Sequence, residues 1–294
     1  MNPIEPINAL FSRSFDNFLD SQWRDGESRL HHAIKYCLSG GGKRVRASLA
    51  MLVCSAYEKN PRLALSSAAA VEMVHAYSLA HDDLPCMDDD DMRRGRPSLH
   101  RAFDECTALL AGDAILTDAM RLLVDDDFFP DASLVRVSDR VRLVRELSSA
   151  AGGFGMVYGQ EKDIFWTARS KFSLGDLELI HRAKTGALMG AAAAMGAISA
   201  GATDESVQIW REFGVLLGLS FQAIDDALDA SAATGKTPNK DQQQKKLTYM
   251  TLFERDKVIE IAKSHSTTAI QLIPGNVRRD ELINFIGTLV SRER

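Results

Sequence analysis

The residues of this chain best placed to do chemistry are carboxylates. Residues 81–97, HDDLPCMDDDDMRRGRP, set six aspartates against three arginines. A charge run of this kind ordinarily marks a solvated loop. Here, however, Asp82 and Asp83 end the apolar, helix-like stretch AAAVEMVHAYSLA, where paired carboxylates are costly unless protonated or neutralised by a cation. On a regular helix Asp88 would sit about 120° around the axis from Asp82. Pro85 cannot donate to the carbonyl of His81, so the helix should loosen there and let Asp88 swing back toward the same ligand.

A second acidic cluster follows 143 residues later in FQAIDDALD, 221–229. Asp225 and Asp229 are four apart and share a helix face, with Asp226 beside them, and like charges at that spacing destabilise an isolated helix. For this cluster alone, neutralisation by Lys or Arg of neighbouring helices is as good a reading as ligation. Two such clusters in one chain favour ligation. Carboxylates without Cys or clustered His select hard cations, and Mg²⁺ is usually completed by waters and substrate phosphates. The implied ligand is a diphosphate between two acidic walls. Basic groups able to hold phosphate are Lys43, Arg44 and Arg46 after a Gly triplet, Arg93, Arg94, Lys184, Lys236, Lys240, Lys245 and Lys246. Singly, each reads as a surface cation. Gly40-Gly41-Gly42-Lys43 lacks P-loop spacing.

The elements that must position these groups are helices. All eight prolines leave 131–237 free, and segments such as VRLVRELSSAAGGFGMVYG and IWREFGVLLGLSFQAIDDALDA place apolar residues three and four apart. No series of alternating Val/Ile/Thr strands occurs, so the fold class is all-α, expected as one domain over 1–294. Loops are expected at 39–42, 88–98, 125–132 and 234–243, without an interdomain linker or a fixed repeat. The 294 residues, 45% hydrophobic and 26% charged, exclude a disordered chain. A net charge of −5 offers no general attraction for nucleic acid. Cys37, Cys54, Cys86 and Cys106 have neither disulfide-framework nor zinc spacing, and no signal peptide is read at the N-terminus. A reducing, cytoplasmic location is expected. The only membrane-like run, 185–203, is mostly Gly and Ala and reads as a close-packed central helix rather than a membrane span.

Taken together, these residues resemble the trans-prenyltransferases, or polyprenyl diphosphate synthases, and the resemblance runs in order over nearly the whole chain. GGKRVR (41–46) resembles that family's basic entry motif, and DDLPCMD (82–88) with RRGRP (93–97) its first aspartate-rich motif. KTG (184–186) and FQAIDDALD resemble the later motifs. Within the family the chain is most similar to the bacterial farnesyl diphosphate synthases, or geranyltranstransferases, which implies an all-helical isoprenoid-synthase bundle with a central cavity, more than one Mg²⁺ per site and a homodimer.

The resemblance implies that Asp82, Asp83, Asp88, Asp225, Asp226 and Asp229 hold Mg²⁺ on an allylic diphosphate, which Arg93, Lys184 and Lys236 contact directly. Lys43, Arg46, His75 and Arg94 would bind the diphosphate of isopentenyl diphosphate without metal. Thr185 and Gln222 would turn oxygen dipoles toward an allylic cation, with Gln160 and Asp163 as a further pocket-lining pair. Tyr77 and Ser78 would line the wall a growing tail follows. An aromatic five residues before Asp82, with four residues between Asp83 and Asp88, implies a C15 product. Geranylgeranyl diphosphate is the nearest alternative.

Departures from the pattern are Ala47 and Met250 where the family has proline, and Asn239 at a common glycine position, which bears on Lys240 and Lys246. The tail 291–294 could close over the isopentenyl site, though fraying is the default. Three rivals were weighed. An HD-type phosphohydrolase leaves the Asp225 cluster unexplained, and a class I terpene cyclase should carry an Asn/Ser/Glu metal motif in place of DDALD. A regulatory subunit should have lost acidic ligands.

Overall fold

Apolar residues recurring three and four apart organise this chain into helices, and the computed structural model describes residues 4–23, 28–166, 172–229 and 247–291. The first half carries α1 (Ile4–Gln22), α2 (Arg29–Leu38), α3 (Val45–Ala56) and α4 (Leu65–Asp82), the last entered through a 3₁₀ turn at Pro61–Ala64. After it come α5 (Leu99–Ala102), α6 (Glu105–Arg121) and α7 (Val137–Ala151). The second half carries α8 (Met156–Trp166), α9 (Leu174–His181), a π-helical turn at Arg182–Gly186, α10 (Ala187–Ser199) and α11 (Asp204–Asp229). It closes with α12 (Tyr249–Leu252), α13 (Arg255–Leu272) and α14 (Asp280–Val290).

Caps read from the chain mark several starts. Ser28 accepts from the His31 N–H at α2, Asp104 from the Thr107 N–H at α6, and Ser173 with Asp176 forms a reciprocal capping box at α9. The proline-free region holds the longest described helix, the 26-residue α11. The segment VRLVRELSSAAGGFGMVYG is two helices, not one: Gly155 follows a turn in which a Cβ would meet the Ala150 carbonyl oxygen at 2.0 Å.

The Gly/Ala run does form the central helix. Every residue of α10 from Leu188 to Ser199 is buried, and α10 packs against α3, α4, α7 and α11. Small side chains permit the closeness, because a Cβ on Gly214 would meet the Met189 carbonyl oxygen at 2.4 Å and one on Gly196 the Ala50 oxygen at 2.2 Å. One core extends from α1 to α14, and a second apolar cluster joins α9, the end of α11, α12 and α13. Among the described residues, the helix long and apolar enough to cross a membrane is Pro61–Asp82, and 78% of its apolar window is buried inside the fold. All four cysteines are free.

Among the described residues the only strands are β1 (Met92–Arg93) and β2 (Arg96–Pro97), an antiparallel hairpin inside the loop expected over 88–98. Arg94 and Gly95 turn it with φ of 54° and 73°, the left-handed pair that a two-residue hairpin requires. The loop expected at 125–132 runs into a 3₁₀ turn at Pro130–Leu134, and that at 234–243 lies outside the described residues.

Candidate active site

The first acidic wall forms where α4 ends. Helical bonding stops at Asp82, ahead of Pro85, and the chain curls back: the Asp88 N–H donates to the Asp82 carbonyl at 2.8 Å, the Asp89 N–H to Leu84 at 3.1 Å and the Asp90 N–H to Asp83 at 3.1 Å. The loosening expected from Pro85 thus returns Asp88 to the end of α4 beside Asp82. Asp83 is different. It is 1% exposed, and both its oxygens accept from Nε of Arg93 at 3.1 and 3.2 Å, with Nη2 closing the fork. Burial raises the Asp83 pKa against the opposing pull of Arg93. A metal ligand and a diphosphate contact expected from the motif are therefore paired with each other, because a carboxylate at this depth needs a cation at once.

The hairpin carrying Arg93 also brings Arg94 to the glycine triplet, where Nη1 donates to the Gly41 carbonyl at 2.5 Å. Gly42, at φ 116°, admits this contact; a Cβ there would lie 2.9 Å from the Arg94 guanidinium carbon. Arg46 and His75 complete a cationic corner. Burial lowers the Arg46 pKa while the charges of Glu72 and Asp225 support it, and its Nε has no hydrogen-bond partner in the protein. Burial, then Arg46, Arg94, Arg93 and Arg44, hold His75 well below its ordinary pKa, so it meets a ligand as a neutral imidazole. Lys43 lies exposed at the mouth of this corner's loop.

The second acidic wall is the end of α11. Asp226 is turned inward at 7% exposure, accepting from the Tyr249 N–H at 2.8 Å and Gln222 Nε2 at 2.9 Å. Burial pushes its pKa up to about 7. Gln222 Oε1 in turn accepts from the Thr185 hydroxyl at 3.0 Å. Asp225 and Asp229 remain partly exposed. The expected six-carboxylate metal set therefore divides: Asp82, Asp88, Asp225 and Asp229 stay nearer solvent, whereas Asp83 and Asp226 anchor neighbouring groups.

Lys184 and Thr185 join the two walls. They sit on the π-helical turn, a local underwinding of the helix that recurs at functional sites. Lys184 pairs with Asp163 of α8, and although burial opposes its charge, Asp163, Asp82 and Asp88 hold its pKa above the ordinary value. The close approach of α8 depends on Gly159, whose Cβ would meet Lys184 N at 2.2 Å. Neighbouring Gln160 has both amide atoms buried without a protein partner.

On the expected tail wall, Tyr77 is 6% exposed and sits edge-on to His81, ring centroids 5.7 Å apart. Burial and Asp82 push its hydroxyl up to about 12. His81 Nε2 lies 3.0 Å from the Leu109 carbonyl, and the Ser78 hydroxyl donates to His75 O. Lys236, Lys240, Lys245, Lys246 and 292–294 lie outside the described residues.

Sequence reasoning passed over Glu72, a buried carboxylate beneath the cationic corner, whose only signal was an acid inside an apolar helix. It also passed over the close grouping of Asp89, Asp91 and His100, where Arg101 already sits on Asp91 at 2.5 Å. A groove of about 670 Å³ lies elsewhere: Arg182 and Ala183 line it, with Arg145, Phe154, Tyr158 and Arg211, while Lys184 and Thr185 do not.

Two acidic walls joined through the half-buried Lys184 and its neighbour Thr185, beside an arginine-rich corner on a mainly helical frame, define a class of helical enzymes that handle phosphorylated ligands. The family model for Polyprenyl synthetase matches residues 27–273, and the chain belongs to that family. It is 39% identical to farnesyl diphosphate synthase of Bacillus subtilis over 276 residues, 92% of this chain and 90% of that one. It is 41% identical to the chloroplastic geranylgeranyl pyrophosphate synthase 12 of Arabidopsis thaliana over 251 residues, 84% of this chain and 69% of that one. A geranyltransferase of Helicobacter pylori, solved with magnesium and isoprenyl diphosphate, superposes with TM-score 0.82 at 29% identity, covering 99% of this chain and 97% of that one.

Proposed function

We propose that the chain condenses an allylic diphosphate, dimethylallyl or geranyl, with isopentenyl diphosphate by 1'-4 head-to-tail coupling, and that its main product is farnesyl diphosphate. The observation that carries this reading is that Asp82 and Asp88 of the first acidic wall support the charge of Lys184, while the adjacent Thr185 bonds through Gln222 to Asp226 of the second, beside a corner formed by Arg46, Arg94 and His75. Asp82, Asp88, Asp225 and Asp229 offer carboxylate oxygens without thiolate or imidazole, a donor set suited to Mg²⁺. Mg²⁺ bound there supplies Lewis acidity toward a departing diphosphate. Asp83 holds the Arg93 fork at this wall, while Lys184 offers a half-buried positive charge to the same phosphates. Lys236 belongs to this proposed set. Arg46, Arg94, Lys43 and the neutral His75 bind the second diphosphate and present its alkene.

The allylic C–O bond breaks with its electron pair leaving on diphosphate, the alkene forms the new C–C bond, and the resulting cation gives up a proton to the departed diphosphate. Gln222 and Thr185, ordered by Asp226, turn oxygen dipoles toward the developing charge. Apolar surroundings keep water from quenching it. Tyr77 forms the floor that stops growth at C15. Residues 1–294 act as one domain, supported by the core running from α1 to α14. The homodimer and the cytoplasmic location are part of the same reading, the former supported by exposed Leu109, Leu110, Val137 and Val141 on α6 and α7.

A geranylgeranyl diphosphate product is the second reading, favoured by the 41% identity to the Arabidopsis enzyme. Both are tested by incubating the protein with Mg²⁺, labelled isopentenyl diphosphate and a C5 or C10 starter, then resolving the dephosphorylated products. Farnesol is expected. Geranylgeraniol keeps the coupling and removes Tyr77 as the floor. No coupling by folded, metal-supplied protein refutes the synthase reading.

A further inference from the structure

Glu72 lies on α4 three residues ahead of His75, is 2% exposed, and has no part in the reaction as described above. A carboxylate at that depth needs partners to replace its lost hydration. Its two are both in the segment carrying the basic motif. Oε1 accepts from the Ala47 N–H at 3.1 Å, and Oε2 faces Nη1 of Arg44 at 3.4 Å. Ala47 is the third residue of α3, whose N-cap, Arg44, makes no side-chain cap bond. The first N–H groups of a helix have no acceptor within it. Glu72 therefore supplies from another helix what a Ser or Asp N-cap ordinarily provides.

Arg44 itself is in the left-handed region at φ 48°, a costly conformation for a residue with a Cβ. Four contacts hold it there: Glu72, the Leu38 carbonyl at 3.0 Å from Nη2, and the Phe15 and Phe11 rings 5.4 and 5.9 Å from the guanidinium. Lys43 precedes this residue, and Arg46 follows two positions later.

We propose that Glu72 is a positioning residue for the metal-free diphosphate site: by capping α3 and fixing Arg44 it sets the direction in which Lys43 and Arg46 face the corner shared with His75 and Arg94. The inference rests on the assignment of that corner to isopentenyl diphosphate. The charge of Glu72 also supports Arg46 and Arg94. A positioning carboxylate and a bystander differ in sign. Removing a bystander's negative charge beside an anion site tightens anion binding, whereas removing a positioning one weakens it by letting the cations splay.

The test is calorimetric titration of isopentenyl diphosphate into metal-free wild type, Glu72→Gln and Glu72→Asp, with KM for both substrates and kcat measured with Mg²⁺. Gln keeps an acceptor for Ala47 but offers Arg44 no charge. Its isopentenyl diphosphate affinity is expected to fall about tenfold, the scale of one charge-assisted hydrogen bond, and KM for that substrate to rise equally. KM for the allylic substrate and kcat should stay within about threefold, and Glu72→Asp should recover part of the loss. Equal or tighter binding by Glu72→Gln, or an equal loss for both substrates, overturns the proposal. Wild type that does not bind isopentenyl diphosphate without metal overturns the site assignment and this inference with it, a failure read on wild type alone. Should circular dichroism show Glu72→Gln unfolded, the ratio of Glu72→Asp to wild type decides by the same criterion.

Discussion

Replacing Gly159 with alanine should damage the active site without altering any side chain that meets substrate. The added Cβ would lie 2.2 Å from Lys184 N, 2.6 Å from Lys184 Cα and 2.7 Å from the Ala183 carbonyl carbon. All three are backbone, so no side chain can rotate away. An ordinary contact begins near 3.4 Å, and α8 must therefore withdraw from the π-helical turn by about 1 Å. Overpacking of this kind costs about 1–3 kcal/mol, which lowers Tm by about 2–8 °C in a chain of this size. The larger effect is on rate. Asp163 travels with α8 and Lys184 with the turn, so their ion pair opens, and a misplacement of about 1 Å costs on the order of 10² in kcat. The assay is steady-state coupling beside a thermal melt, with Gly287→Ala as control, because a Cβ there meets nothing within 4 Å. The control should keep wild-type kcat, with Tm equal or slightly higher because alanine favours a helix interior over glycine. Gly159→Ala with wild-type kcat and Tm would refute the argument that close backbone approach positions Lys184.

Asp82→Ala and Asp225→Ala should each lower kcat by about 10²-fold or more while far-ultraviolet circular dichroism stays unchanged; retained turnover would remove them from the metal set. Tyr77→Ala should lengthen the product from C15 toward C20, read by chromatography of the dephosphorylated alcohols, and an unaltered C15 product would remove Tyr77 as the floor. Burial lowers the His181 pKa from 6.5 to about 4, so the unfolded chain binds the extra proton first as pH falls. The stability this contributes is complete above pH 6.5 and is lost on descending toward pH 4, up to about 3 kcal/mol by linkage. Denaturant melts between pH 7 and 4 should show that slope, reduced in His181→Phe; identical slopes would refute the assignment.

Much of the site could be read along the chain because its signals are local. Pro85 interrupts α4 whatever surrounds it, and the return of Asp88 to Asp82 follows from that missing donor. The four-residue spacing of Asp225 and Asp229 fixes a shared face on any helix. The Gly/Ala run of α10 reads as a packed centre since small side chains permit helices to approach. The tertiary structure added one break that the sequence reading had not placed and changed one expected loop. The periodicity of residues 141–159 hid a break, because Gly155 serves a turn that apolar spacing does not register. The 93–97 segment, expected as loop, forms a hairpin because Arg94 and Gly95 adopt paired positive φ, a choice that Arg-Gly does not announce.

The amino-acid sequence by itself determined the chemistry on offer: helices throughout, carboxylates in two clusters with neither thiolate nor clustered imidazole beside them, and cations enough to hold two phosphorylated ligands. Only the tertiary structure decided which group does what. Asp82 and Asp83 are neighbours of identical type, yet Asp83 is buried and must take Arg93 as its partner. Asp226 likewise turns to Tyr249 and Gln222, and Glu72 to Ala47 and Arg44 across 25 and 28 residues of chain. The physical reason is desolvation. A buried charge must be met by whatever donor the fold brings within about 3 Å, and that donor is set by packing between distant segments rather than by spacing along one.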